Sequence, residues 1–346
     1  MKIIDLRSDT VTLPTHTMMQ AIYNADLGDD IFYEDTTTNR LERMAAERMG
    51  KEAALLVVSG TMGNLVSMLT HCKRGEEVIL GNQSHIFINE AGGMSAIGGM
   101  YPHTVANQPD GTIRLQDIEL AIRSENIHYP RTRLICLENT HNNCGGTVLS
   151  AQYMDEVATL ARKYSLKIHL DGARIFNAAI ALGIDVKELT CHADSVSFCL
   201  SKGLSGPVGS LICGSKDFIA EARRNRKVIG GGMRQCGIIA AAGIVALEQM
   251  VNRLSEDHLN ARKLAEGIAQ IPYLSIDLDK VQTNIVYFNL ISEKINTNAL
   301  IQKLANHGIK ILSSGPNRLR AVTHNGISTE DIDFSLQALQ TIIKEI

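Results

Sequence analysis

Tryptophan is absent, aromatic residues make up only 4% of the chain, and there are just seven prolines in 346 residues. The other absences exclude whole classes of function. No apolar run approaches the roughly 18 residues of a membrane span, so no membrane segment is expected. The amino end, Met1-Lys2-Ile3-Ile4-Asp5-Leu6-Arg7, passes at once from apolar to charged and has no secretory apolar stretch, which predicts a cytoplasmic protein. Seven cysteines form no Cys-x-x-Cys and fall largely inside apolar runs, as reduced core residues would. Basic residues are scattered and the net charge is −3, so there is no footprint for nucleic acid. Gly-x-Gly-x-x-Gly and Gly-x-x-x-x-Gly-Lys are both missing, which argues against a nicotinamide-dependent dehydrogenase. No repeat or low-complexity segment appears. What remains, 45% hydrophobic and 21% charged, is the composition of a globular protein long enough for a large domain and a smaller one.

Two short apolar runs organise the rest. Lys167-Ile168-His169-Leu170-Asp171 and Ser195-Val196-Ser197-Phe198-Cys199-Leu200-Ser201-Lys202 have strand length, and the stretch between them has room for a crossover helix. Parallel pairing would bring Asp171 and Lys202 to the carboxyl edge of one sheet, where α/β proteins place ligands. They are a structural ion pair, or merely loop residues, or the lysine and acid that pyridoxal phosphate requires: an amine for its aldehyde and a carboxylate for its ring nitrogen. Upstream, the strand candidate Ala53–Val58 runs through Ser59-Gly60-Thr61-Met62-Gly63-Asn64 into a helix, an arrangement that offers free N–H groups to an anion such as phosphate. His85 lies just past the strand Glu77–Leu80. Residues 1–13 read as an extended arm, 236–269 as one long helical stretch after Gly230-Gly231-Gly232, and Ser275–Leu278 and Ile309–Leu312 as strands. The run Arg318-Leu319-Arg320-Ala321-Val322 puts arginines in an apolar strand, which predicts partner carboxylates. A boundary near residue 250 separates an arm and large domain (1–250) from a small α+β domain (251–346).

These motifs, in this order, resemble the threonine aldolases: Leu6-Arg7-Ser8-Asp9-Thr10-Val11-Thr12, Gly28-Asp29-Asp30, Ser59–Asn64, Glu138-Asn139-Thr140-His141-Asn142, His169–Arg174, Ser201-Lys202-Gly203-Leu204, Gly230–Gln235 and Arg320–His324. The one departure, Asn143-Cys144-Gly145-Gly146, touches no catalytic position. The resemblance implies an α/β fold of the aspartate-aminotransferase type I, with a three-layer large domain on a mainly parallel sheet and a smaller α+β carboxyl-terminal domain. It also implies pyridoxal 5'-phosphate as cofactor and cleavage of L-threonine or L-allo-threonine to glycine and an aldehyde. Lys202 would carry the cofactor, Asp171 would bond its ring nitrogen, and Gly60, Thr61 and Arg234 would bind its phosphate. His85 would stack on the ring. Ser8, Arg174 and Arg320 would grip the substrate carboxylate. The base that takes the hydroxyl proton would be His85, His128 or a water near the phosphate, and Glu90 and Lys227 match positions at the pocket edge. The family expectation is a homotetramer, a dimer of dimers, acting on a small amino acid without a metal. Competing readings are a β-eliminating lyase on the same fold and a pyridoxal-phosphate-binding protein without turnover.

Overall fold

The computed structural model describes residues 2–292 and 294–345. Its centre is a seven-stranded sheet of β2 (Ala53–Val57), β3 (Glu77–Gly81), β4 (Tyr101–Val105), β5 (Thr132–Glu138), β6 (Lys167–Asp171), β7 (Ser195–Cys199) and β8 (Ser210–Gly214), in the order β2-β8-β7-β6-β5-β3-β4. The five strands from β4 to β7 run parallel, and β8 is antiparallel to both β7 and β2. Strands covered on both faces by crossover helices are shut off from water, and every residue of β3, β7 and β8 is buried. The helices begin where their caps dictate. Ser59, Ser150 and Ser215 each accept the amide three residues on, and Gly50 and Gly183 stop their helices in the left-handed conformation, at φ 61° and 66°.

A second hydrophobic core lies in the carboxyl-terminal third. Four short strands, β9 (Leu274–Ser275), β10 (Ile285–Leu290), β12 (Leu312–Ser313) and β13 (Arg318–Val322), form an antiparallel sheet in the order β12-β13-β10-β9, packed against the helices Leu254–Ala269 and Thr329–Lys344. The amino-terminal arm belongs to this core. Its strand β1 (Ile4–Asp5) pairs in parallel with β11 (Ile309–Lys310), Ile4 and Leu6 are buried in the cluster, and the Val322 amide bonds the Leu6 carbonyl.

Four local expectations change. The arm is strand only over β1, and at Asp9–Val11 it tightens into a 3-10 turn that the Ser8 side chain caps. The stretch expected to be one helix from 236 to 269 is Gly237–Val245, a π-helical segment Ala246–Met250, and Leu254–Ala269, with a bend of 66°. Leu254 packs in the large core while Ala261, Leu264 and Ile268 pack in the small one, so the last of these segments leads from one core to the other. The strand expected at 275–278 shrinks to β9, because the Asp277 side chain caps a 3-10 turn at Leu278–Lys280. The run 309–312 divides between two sheets, β11 bonding the arm and β12 bonding β13. Among the described residues no single helix is long and apolar enough to cross a membrane.

Candidate active site

Register decides what meets at the carboxyl edge of the sheet. Asp171 ends β6 directly opposite Glu138, which ends β5, and Lys202 follows three residues after β7. The arm crosses at this point, with the Thr12 hydroxyl bonding the Lys202 carbonyl at 3.0 Å. Asp171 is 2% exposed, and each of its oxygens is spoken for by one donor: the Ala173 amide at 3.1 Å and the Asn64 side-chain amide at 2.9 Å. Asn64 gives its other hydrogen to Glu90 at 2.8 Å. His85 opens a one-turn helix after β3, where Glu138 accepts its backbone amide at 2.7 Å and Glu90 meets its Nδ1 at 2.8 Å. One ligand atom each from His85, Glu90 and Asp171 lies within 4.8 Å of the others. The hydrogen bond that His85 gives to Glu90 holds the imidazole above its ordinary pKa, with Asp171 adding to the shift and Lys202 opposing it. Burial pushes Glu90 upward as well.

The helix Gly60–His71 delivers the anion site. Ser59 accepts the Met62 amide at 3.2 Å, which leaves the first amides, of Gly60 and Thr61, to face outward. A Cβ on Gly60 would stand 2.9 Å from the Cys199 Sγ, so only glycine lets the helix start sit flush on β7. The residues fit pyridoxal phosphate: a cradle of free amides for phosphate, a buried carboxylate for the ring nitrogen, an imidazole alongside and a lysine on the same edge.

At the other end of the crevice stand two arginines in different states. Arg174 reaches across 165 residues of sequence to Asp9, its Nε and Nη2 bonding the two carboxylate oxygens at 2.7 and 2.6 Å. Burial alone would raise the Asp9 pKa, but Arg174 beside it wins and the carboxyl stays far below its usual range. Arg320, from β13, gives Nη1 to the Arg7 carbonyl at 3.0 Å and Nη2 to Asn142 at 2.9 Å, and its Nε has no partner. Burial, and Arg174 close by, push the Arg320 guanidinium pKa down. Among the described residues no carboxylate lies within ion-pair distance of it, contrary to the expectation that both β13 arginines have acidic partners. Arg318 stacks instead on the Tyr287 ring, 3.9 Å from its centre.

Of the expected residues, the fold gathers Lys202, Asp171, His85, Glu90, Gly60, Thr61, Arg174 and Arg320 along one sheet edge, with Ser8 in the arm beside Asp9. Ser8 itself is engaged in its turn, accepting from the Thr10 amide at 3.2 Å and the Thr10 hydroxyl at 2.9 Å. His128 does not join them. It sits exposed in the loop before β5, and Thr132, where that strand begins, pairs with Glu77 at the opposite edge. Seven residues of strand, roughly 20 Å, separate the two edges. Arg234 is also turned away: its guanidinium is on the surface, paired with Asp29 at 3.1 Å. Lys227 is exposed and lies against Gly232. Sequence reasoning missed the parts played by Asn64, Asp9 and Glu138. Asn64 closes the glycine turn motif, and a lone asparagine on a helix otherwise facing the sheet was the available signal.

The family model described as Beta-eliminating lyase matches residues 5–290. Low-specificity L-threonine aldolase 1 of Arabidopsis thaliana is 48% identical over 344 residues, covering 98% of this chain and 96% of its own length. The low specificity L-threonine aldolase of Escherichia coli is 45% identical over 329 residues, covering 95% of this chain and 96% of its own. The solved threonine aldolase of Leishmania major superposes with a TM-score of 0.84 at 19% identity, covering 98% of this chain and 99% of that one, which extends the likeness to the fold. With the mainly parallel sheet, the lysine and carboxylate at its edge and these matches over nearly the full length, the chain belongs to the beta-eliminating lyase family, whose cofactor is pyridoxal phosphate, on the branch of the threonine aldolases.

Proposed function

We propose that this enzyme cleaves L-threonine, L-allo-threonine and related β-hydroxy amino acids between Cα and Cβ, releasing glycine and an aldehyde. The observation that carries this reading is Arg320, a buried guanidinium without a protein carboxylate, standing at the same crevice as Lys202, Asp171 and His85. A desolvated cation is costly unless a ligand supplies the matching charge, and an amino-acid carboxylate fits a planar fork. Ser8 and Arg174 flank that hold, Arg174 already neutralised by Asp9.

Pyridoxal phosphate, when bound, supplies an aldehyde that takes an amine and a protonated ring that draws electrons from the substrate α-carbon. The chain's residues do the rest. The outward amides of Gly60 and Thr61 hold phosphate, Lys202 supplies the tethering amine, and Asp171 keeps the ring nitrogen protonated. Arg320 orients the substrate so that the Cα–Cβ bond is the one aligned for cleavage. His85 takes the hydroxyl proton. Its Nδ1–H donates to Glu90, so Nε2 carries the lone pair, the tautomer a base needs. His128 lies at the wrong edge of its own chain for that task. The reading includes a cytoplasmic homotetramer. It is supported by large apolar side chains left outside the core, including Leu13, Tyr23, Phe32 and Ile127.

The deciding experiment is product analysis of the cofactor-loaded enzyme with L-threonine and L-allo-threonine. Acetaldehyde and glycine are expected in equal amounts with little 2-oxobutanoate. If 2-oxobutanoate dominates, the enzyme is an eliminating lyase. Light scattering at assay concentration tests the tetramer, which an active monomer would rule out.

A further inference from the structure

Behind Asp171 a row of buried polar side chains runs into the sheet, and none of them touches a reacting atom. Asn64 is its hub. The side-chain amide group gives one hydrogen to Asp171 at 2.9 Å and the other to Glu90 at 2.8 Å. The side-chain oxygen accepts from the Ser197 hydroxyl at 2.8 Å and meets His169 Nε2 at 3.0 Å. His169 Nδ1 lies 2.8 Å from the Ser195 hydroxyl, which lies 2.7 Å from His71 Nε2. Asn64 is 1% exposed, and His169, Ser195 and Ser197 are equally buried.

The direction of every bond follows from elementary chemistry. Two carboxylates cannot face an amide oxygen, so the Asn64 side chain stands with its nitrogen toward Asp171 and Glu90. Its oxygen only accepts, so His169 carries hydrogen on Nε2. Burial keeps that ring neutral, down to about 4, so Nδ1 accepts from the Ser195 hydroxyl. The Ser195 oxygen then takes Nε2–H of His71, which burial likewise keeps neutral, down to about 3. Every dipole in the row points its positive end at Asp171. With two donors on its oxygen and two acceptors on its nitrogen, Asn64 cannot turn.

We propose that Asn64 is the positioning residue that joins the two halves of the catalytic apparatus: one amide fixes the Asp171 carboxylate for the cofactor ring and the Glu90 carboxylate against His85. Loss of that amide therefore weakens cofactor hold and detunes the base together. This rests on the reading of the site as a pyridoxal-phosphate aldolase, and the test separates the two. If the wild type neither retains pyridoxal phosphate nor releases acetaldehyde, that reading fails. The Asn64 inference is judged only against a wild type that does both.

The near-isosteric Asn64→Asp replaces a shared donor with a third carboxylate. The groups facing His85 are then Glu90, Asp171, Lys202 and the new acid, and the added negative charge raises the pKa of His85. In the full-length enzyme the cofactor dissociation constant, from equilibrium dialysis, is expected to rise roughly tenfold or more, as for other groups that orient a directly contacting residue. The kcat for threonine falls by a similar factor, KM stays within about twofold because Arg320 is untouched, and the acid limb of the kcat–pH profile moves to higher pH. Asn64→Ser, which cannot reach either carboxylate, should show the same losses of cofactor hold and kcat, and serves if Asn64→Asp does not fold. A folded variant of either kind that keeps wild-type cofactor affinity and kcat overturns the proposal. So does Asn64→Asp if its acid limb stays in place, because a merely structural role would lower the melting temperature without moving that limb.

Discussion

Two clusters of buried charge in this protein end in opposite balance. Near the turn at residues 28–35, Asp30 and Glu42 face Arg223 and Arg226. Arg226 bonds Asp30 and the Leu56 carbonyl, while Arg223 bonds Asp30 at 2.9 Å and Glu42 at 3.0 Å. Two acids meet two bases, and burial pushes Glu42 up to about 7 within this closed set. At the sheet edge, Asp9 is matched by Arg174, and Arg320, which also acts on Asp9, is left without an ion-pair partner of its own among the described residues. Both clusters carry the cost of desolvation, but only the second leaves a cation for something outside the chain to complete. Buried charge by itself is architecture, and an unmatched buried charge in a crevice marks a ligand site.

The comparison breaks hardest at Lys202. Lys202→Ala should lower kcat by about a thousandfold or more while the melting temperature holds, since the lysine serves chemistry. A variant that still turns over threonine at a tenth of the wild-type rate would remove Lys202 from its role. In the closed cluster the effect should reverse. Arg226→Met removes the buried partner of Asp30 and leaves Arg223 alone to match two carboxylates, and should cost about 3–5 kcal/mol in denaturant unfolding, while turnover per folded molecule changes little. Finding unchanged stability would mean that the cluster is not the structural element described. Arg320→Lys keeps the charge and loses the fork, so kcat/KM for threonine should fall roughly 10- to 100-fold with almost no loss of stability. Equal kcat/KM in that variant would transfer the substrate carboxylate to another residue. The smallest effect is at Glu90. His85 acts as a base only when neutral, so activity falls as pH drops through its raised pKa. Glu90→Gln removes the interaction that raises it, and the acid limb should move to lower pH. A limb that stays fixed would show that His85 is not the group titrating.

How much of this was readable beforehand varies with sequence distance. The glycine turn at Ser59–Asn64, the strands ending at Asp171 and near Lys202, and the acid at Asp171 are local patterns, and they were legible residue by residue. Arg320 was legible as a buried arginine, but its freedom was not, because a partner carboxylate could have come from anywhere in the chain. The arm looked like an isolated extended segment, whereas Ile4 and Leu6 pack in the carboxyl-terminal core. His128 illustrates the opposite case: a position taken from the family resemblance lies, within one chain, at the far edge of the sheet.

The amino-acid order by itself determined the elements, because caps, glycine stops and apolar periods act within a few residues, and it determined the chemical inventory of lysine, aspartate, histidine and arginine. Tertiary structure alone decided which of these meet. Asp9 pairs with Arg174, Asn64 with Asp171, and Arg320 remains unpaired, through contacts that span more than a hundred residues and follow from strand order and register. No local rule encodes that balance, since the charge state and reach of each side chain depend on what the fold brings beside it and on how much water it leaves there.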